Sequence, residues 1–386
     1  MRNMTWILAA WTCFAFVPAA PAEEPSAPAW PKLTDYFPPT ESRGGWRSLL
    51  PESGEPNADQ KAEVRRVAGV DWDKLEEAWR HNAAAPGATG LLVIRRGYVV
   101  GEWYKEGDRG TDFNIYSSSK AYTSTAFGLI LADFGHGPLP GGGTLTLDTK
   151  VCNSQWLPES LPLPDPRKAE ITVRHLLNMA SGLGEENPPR EKPFEWSLGH
   201  VDGSPMAKLK NDPGAAFHYS NAGVAHLVLL FQRAQGVDLY PFLKDRLFDP
   251  IGLAQARWQQ IGGDGALGPY SQGYSGIHTT PREHARFCYL ALHKGDWAGR
   301  RVVPESYYDF AWKPSPAEAK YGAQWWVYPR VADSPRDLVM TLGRNHNDGF
   351  VCPSLDLVFV RLGNGEQFPK DFEKDLVLKV LAAVEK

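Results

Sequence analysis

Apolar positions along the chain change their spacing from one region to the next, and the changes mark out elements. Leu91 to Ile94 is an unbroken apolar run rich in branched residues. Arg95-Arg96-Gly97 interrupts it as a turn, and Tyr98 to Tyr104 is apolar again, which predicts a hairpin with a buried first strand. Just upstream, Asp71 caps a helical pattern that sets Leu75, Ala78 and Trp79 on one face. Residues 118–134 hold no Pro and only Gly128, so they read as a buried helix, and Gly135 to Gly143 reads as a loop. Helical spacing recurs over 171–179, 221–235 and 281–294. Short apolar strands follow at Tyr321–Tyr328, Leu338–Leu342, Gly349–Cys352 and Leu357–Leu362, and an amphipathic helix runs from Phe372 to Val384. The order is strands, a long helical middle, then strands and a helix. It predicts an α+β fold: an antiparallel sheet built from both chain ends, flanked by helices, with an inserted mostly helical region over about 118–300. No repeat of fixed period is present.

The first residues follow a different pattern. Arg2 precedes an uncharged apolar stretch from Met4 to Val17, and Ala20-Pro21-Ala22 offers small residues before Glu23 and Glu24. This reads as a signal peptide over 1–22, with export to the periplasm or beyond the cell. The apolar run is shorter than the roughly 20 residues a spanning helix needs, so no integral span is expected after cleavage. Residues 23–65 are rich in Pro, Ser, Gly and charge and read as an irregular arm, laid over the domain or mobile; residues 66–386 are read as the main domain. Export leaves Cys152, Cys288 and Cys352, an odd number that allows at most one internal disulfide. There is no Cys-x-x-Cys and no His-Glu-x-x-His, so no metal and no other cofactor is expected. A net charge of −4 gives no reason to expect nucleic acid or an acidic membrane surface as a partner.

Three short constellations carry chemistry. In Tyr116-Ser117-Ser118-Ser119-Lys120, Ser117 and Lys120 are one helical turn apart, which places their Cβ atoms ~5–6 Å from each other on one face. A serine hydroxyl is a weak nucleophile, and a neighbouring amine desolvated enough to lose its proton can act as its base. A Ser-x-x-Lys by itself is equally a polar helix start with a solvated lysine. This one is unique in the chain and precedes an apolar helix. In Phe217-His218-Tyr219-Ser220-Asn221, Tyr219 could shuttle a proton and Asn221 could offer a donor and an acceptor to a substrate amide; the bland alternative is a turn before a helix. In Leu342-Gly343-Arg344-Asn345-His346-Asn347-Asp348, between two late strands, Arg344, His346 and Asn347 are candidates to hold a substrate carbonyl or carboxylate, against the alternative of a polar hairpin turn.

Together the three resemble the β-lactamase-related serine hydrolases: class C β-lactamases, D-alanyl-D-alanine carboxypeptidases, some esterases and 6-aminohexanoate-dimer hydrolases. The resemblance extends over about residues 85–386, through Ile171-Thr172-Val173-Arg174-His175-Leu176-Leu177 with Ser181-Gly182-Leu183, Ala285-Arg286-Phe287, Val303-Pro304-Glu305-Ser306, Tyr321-Gly322 with Trp325-Trp326, and Pro353 with Asp356-Leu357-Val358. It implies a β-lactamase/transpeptidase-like fold and a small ester, amide or peptide substrate. It implies that Ser117 attacks, that Lys120 and Tyr219 share proton transfer, and that Asn221 orients the substrate. The oxyanion hole would then use the Ser117 N–H and one from the strand near Asn347. One motif departs from the family. Where Lys-Thr-Gly or His-x-Gly is usual, this chain has Arg344-Asn345-His346, with His346 at the glycine. A Cβ there narrows the backbone's approach to substrate, which turns the expectation toward esters and small amides rather than β-lactams.

Other readings are weaker. An α/β-hydrolase needs Gly-x-Ser-x-Gly, which is absent. A non-catalytic binding protein on the same fold would typically have lost Ser117, Lys120 or Tyr219. Gly263-x-Gly265-x-x-Gly268 runs into Pro269 without a βαβ unit around it. His175, His226, His284 and His293 fall in helical patterns and read as structural. The 14 tryptophans read mostly as core.

Overall fold

The hairpin read from residues 91–104 lies at one side of the main sheet. The structure, a computed structural model, describes residues 33–385, so the signal-peptide assignment and the first part of the arm lie outside the described residues. Strands β1 (Thr89–Arg95) and β2 (Tyr98–Lys105) are joined by Arg96-Gly97, with φ of 50° and 73°. Two successive left-handed residues are what a tight hairpin with the native twist requires. The late strands are β3 (Trp326–Val327), β4 (Val339–Thr341), β5 (Asp348–Cys352) and β6 (Leu357–Gly363). The order across the sheet is β3-β4-β5-β6-β1-β2, with every neighbouring pair antiparallel. Both chain ends therefore build it, as the sequence predicts.

Both faces of the sheet are covered, which explains why β1 is apolar at every position between Leu91 and Ile94 instead of alternating. Leu91, Val93, Leu357 and Phe359 pack with helices α1 (Ala58–Ala68), α2 (Trp72–Ala83) and the C-terminal helix (Phe372–Ala382). Leu92, Ile94, Val358 and Val360 face the other way into the larger core. That core includes α3 (Ser119–Gly128), α4 (Val173–Leu177), α5 (Asn221–Gln235) and α6 (Pro281–Leu292), the helices of the inserted region. With these labels the C-terminal helix is α7.

Three differences from the sequence reading have local causes. Residues 58–65, read as part of the irregular arm, are helical: Asn57 and Gln60 form a reciprocal capping box that starts α1, and only Val64 and Ala68 are buried, so its apolar signal is faint. The helix read over 118–134 ends at Gly128, whose α-carbon lies against the Tyr307 ring, and a 3₁₀ turn takes over at Ala132–Phe134. The strand read over 321–328 joins the main sheet only at Trp326–Val327, because the chain reverses at Gln324 (φ 65°), folding Tyr321 back to bridge Trp326 and sending the Trp325 ring into the core. Short strands also lie outside the main sheet, including Phe113–Asn114 just before the inserted region and Ile277–Thr279 within it, which pair with each other.

The described part of the arm is laid over the domain. Thr34 donates to Asp356 from its N–H and its hydroxyl, at 3.0 and 2.7 Å. Leu49 N–H donates to the Val99 carbonyl at the sheet edge. Arg286, fully buried on α6, donates to the carbonyls of Pro38, Pro39 and Ile251 and to Glu41. Cys152, Cys288 and Cys352 are buried free thiols, so no disulfide joins any two of them. Among the described residues no helix is long and apolar enough to cross a membrane.

Candidate active site

Ser117 sits where a strand is forced to turn into a helix. Pairing of Phe113–Asn114 with Ile277–Thr279 fixes the approach, and Ile115 N–H donates to the Ile277 carbonyl at 2.9 Å. Tyr116 then takes φ 45°, a conformation uncommon for a bulky side chain, and its N–H is held by Asn114 Oδ1 at 2.8 Å. Tyr116–Ser118 is a 3₁₀ turn that runs directly into α3. The following serines are tied down: Ser118 Oγ donates to the Asn347 carbonyl at 2.6 Å, and Ser119 Oγ accepts from Ile277 N–H at 3.2 Å. Ser117 itself is half-buried, with its hydroxyl toward Lys120.

Lys120 is 1% exposed. Its Nζ lies 2.9 Å from Ser117 Oγ and donates to the Tyr274 carbonyl at 2.8 Å. Burial holds its pKa well below the usual lysine range, because an ammonium there would lose its water without gaining a carboxylate. Tyr219 completes the group. Lys120 Nζ lies 4.8 Å from the centre of its ring. Burial pushes the Tyr219 phenol up to about 12, and its contact with the Ser117 side chain pulls the other way. Hydroxyl, amine and phenol thus converge. An amine kept neutral beside a hydroxyl can take its proton, and a phenol within reach can pass that proton on.

The remaining sequence candidates divide. Asn221 opens α5, which Ser220 caps. Its Nδ2 donates to Asn187 Oδ1, while its own Oδ1 is buried without a partner. The hairpin after β4 comes up against the Ser117 turn: Gly343 packs on the Ile115 carbonyl so closely that a Cβ would collide with it. The side chains of that hairpin, however, turn elsewhere. Arg344 is exposed. Asn347 spends its amide on its own strand region, donating to Arg344 O and Gly363 O and accepting from Gly363 N–H. The His346 ring packs on Phe368 and Phe372. The expectation that the Asn347 and His346 side chains hold substrate therefore gives way to one in which the hairpin offers backbone. Asn345 and His346 have φ of 60° and 53°, so the chain keeps a glycine-like shape with side chains present, at roughly 1–2 kcal/mol per residue.

His346, Asp348 and Glu373 bring ligand atoms within 4.8 Å of one another, a juxtaposition the sequence motifs do not announce. Their charge is met from within the protein: Arg330 pairs with Glu373 at 3.2 Å, and the buried Arg361 lies beside Asp348 and donates to the Asn345 and His346 carbonyls.

With this geometry in place, the comparisons are decisive for the family. The Beta-lactamase family model matches residues 72–384. The chain belongs to the β-lactamase family. An alignment 159 positions long, covering 38% of this chain and 30% of the relative's length, is 29% identical to Penicillin-binding protein 4* of Bacillus subtilis (strain 168). Among solved structures, a candidate 6-aminohexanoate-dimer hydrolase from Bacillus anthracis superposes with a TM-score of 0.62 at 18% identity, covering 80% of each chain. A class C β-lactamase superposes with a TM-score of 0.60 at 16% identity, covering 86% of this chain and 99% of its own. These superpositions establish the β-lactamase/transpeptidase-like fold in this family of serine hydrolases.

Sequence reasoning missed several neighbours of this β-lactamase-family site. Tyr274 contributes a carbonyl to Lys120, and a main-chain acceptor leaves no trace in residue type. Asn187 was missed because it orients Asn221 across a gap of 34 positions. Trp326 and Tyr321 pack against the Tyr219 ring, at 6.0 and 6.1 Å between centroids, and their sequence signal is the resembled segment Tyr321-Gly322 with Trp325-Trp326, which gives them no place beside Tyr219.

Proposed function

We propose that this chain is an exported serine hydrolase that cleaves esters or small amides through an acyl-enzyme on Ser117. One observation carries the reading: a buried lysine amine lies 2.9 Å from a half-buried serine hydroxyl and has a carbonyl, not a carboxylate, as its other partner. Neutral Lys120 takes the Ser117 proton as Oγ attacks the acyl carbon. The carbonyl π electrons move onto oxygen, where the Ser117 N–H and a hairpin N–H stabilise the charge. The tetrahedral intermediate collapses, the bond to the leaving oxygen or nitrogen breaks, and the proton reaches that atom through Tyr219. Water then repeats the sequence on the acyl-enzyme, releasing the acid and restoring the Ser117 hydroxyl.

The preference for esters and small amides over β-lactams rests on the third motif. Strand β4 reads Val339-Met340-Thr341 and carries no cation to anchor a β-lactam carboxylate, and Arg344 is exposed beyond its end. Purified protein should hydrolyse p-nitrophenyl acetate and butyrate with kcat/KM at least about tenfold above that for nitrocefin, a difference of ~1.4 kcal/mol in transition-state binding. Nitrocefin turnover at or above the ester rate would overturn the preference and favour a true β-lactamase. The pH dependence has a defined sign. Lys120 works as the free amine, and its pKa is lowered. Ester turnover should hold at alkaline pH and fall as pH drops through that lowered value. A flat profile from mildly acid to alkaline pH would contradict a lysine base.

A further inference from the structure

His284 was read as structural from its helical spacing, yet its two ring nitrogens join the two halves of the proposed site. On one side, Nδ1 lies 2.9 Å from the hydroxyl of Tyr122, which is two residues beyond Lys120 on α3. On the other, Nε2 lies 3.1 Å from Thr341 Oγ1, at the last residue of β4. Thr341 Oγ1 also accepts the Gly349 N–H at 3.1 Å, and Thr341 and Gly349 are partners at the root of the hairpin that holds residues 342–348. The contact is tight. A Cβ on Gly349 would stand 2.5 Å from Cys288 Sγ and 2.7 Å from His284 Nε2. Two residues beyond that root on either arm of the same hairpin, Ser118 Oγ donates to the Asn347 carbonyl and Gly343 abuts the Ile115 carbonyl. The hairpin is thus fixed to the Ser117 turn through Gly343 and Asn347 and, through His284, to α3 at its root.

We infer that His284 is a positioning residue, bolting the 342–348 hairpin to the nucleophile helix through Tyr122 and Thr341 and so aiming the hairpin backbone at the carbonyl that Ser117 attacks. The inference rests on the hydrolase reading above. An apolar residue of similar size would fill the space but would leave two buried hydroxyls without their shared partner and free the hairpin root. Burial keeps the imidazole neutral, with its pKa down to about 3. One nitrogen therefore donates while the other accepts, which suits a bridge between two hydroxyls. Because the effect lies in aim and not in substrate binding, it belongs to kcat.

Four variants of the full chain test this: His284→Leu, His284→Gln, Thr341→Val and Tyr122→Phe. Hydrolysis of p-nitrophenyl butyrate, fluorophosphonate labelling, thermal melting and amide exchange at Gly349 are measured on each. His284→Leu and Thr341→Val should lower kcat by about 10- to 100-fold, with KM changed by less than about threefold. His284→Gln, which can still reach Thr341, should recover several-fold of that loss, and Tyr122→Phe should fall between. Exchange at the Gly349 amide should quicken in His284→Leu and Thr341→Val whatever the protein's activity. Wild-type kcat in folded His284→Leu, a loss confined to KM, or unchanged Gly349 exchange would overturn the proposal. If His284→Leu does not fold, Thr341→Val and Tyr122→Phe decide by the same criteria. If wild-type protein neither labels nor turns over ester, the hydrolase reading fails and the catalytic part of this inference with it. Gly349 exchange then still reports whether the bolt exists.

Discussion

Lys120→Met should lower kcat on p-nitrophenyl esters by about 10³- to 10⁴-fold, the scale of a lost general base acting in concert with its nucleophile. The methionine keeps the length and apolar body of the side chain and removes the amine that touches Ser117 Oγ and the Tyr274 carbonyl. Folding should survive. The wild-type amine is held below its ordinary pKa by burial, so the unfolded chain binds more protons than the native one between the two values. Stability therefore rises with pH across that window, and near neutrality the buried amine weakens the native state. Lys120→Met should melt no lower than wild type at pH 7. Activity within about tenfold of wild type would remove Lys120 from the chemistry. A large drop in melting temperature would mean that the activity loss reports damage to the fold.

Arg286→Ala should bring the largest loss of stability, about 3–5 kcal/mol, read as a lower denaturant midpoint. Its guanidinium is fully buried, donates to three main-chain carbonyls and pairs with Glu41 at 2.9 Å. Truncation leaves the carbonyls of Pro38, Pro39 and Ile251 short of a donor and opens a cavity under the arm. Arg286→Lys keeps the charge but supplies fewer directed donors, so its midpoint should lie between. A midpoint shift of less than about 1 kcal/mol in Arg286→Ala would show that the arm does not depend on this anchor.

The same two residues show what the sequence makes legible. Lys120 could be read because its partner is one helical turn away, where spacing alone fixes the contact. Arg286 could be placed on a helix but not given a partner, because its acceptors are carbonyls of Pro38 and Pro39, some 247 positions distant and silent in residue type. The sheet was legible for a similar reason. Burial on both faces makes Leu91–Ile94 of β1 and Leu357–Val360 of β6 unbroken apolar runs, whereas Trp326–Val327 is too short to separate from the aromatic core packing around it. At the third motif the side chains have partners within the protein. Polar letters at Arg344, His346 and Asn347 suggested contacts with substrate, while the fold uses Asn347 to hold Gly363 and His346 to pack against Phe368. The His284 bridge was hidden because each of its links joins residues remote in sequence, and only folding brings them together.

The central claim is that Ser117 Oγ is the atom that becomes acylated. Purified wild-type protein and Ser117→Ala, both shown to be folded, are incubated with a fluorophosphonate probe, digested and mapped by mass spectrometry. A single adduct on the peptide bearing Ser117, lost in Ser117→Ala, is the predicted result. An adduct on another residue, labelling that persists in Ser117→Ala, or no labelling of folded wild type would contradict it.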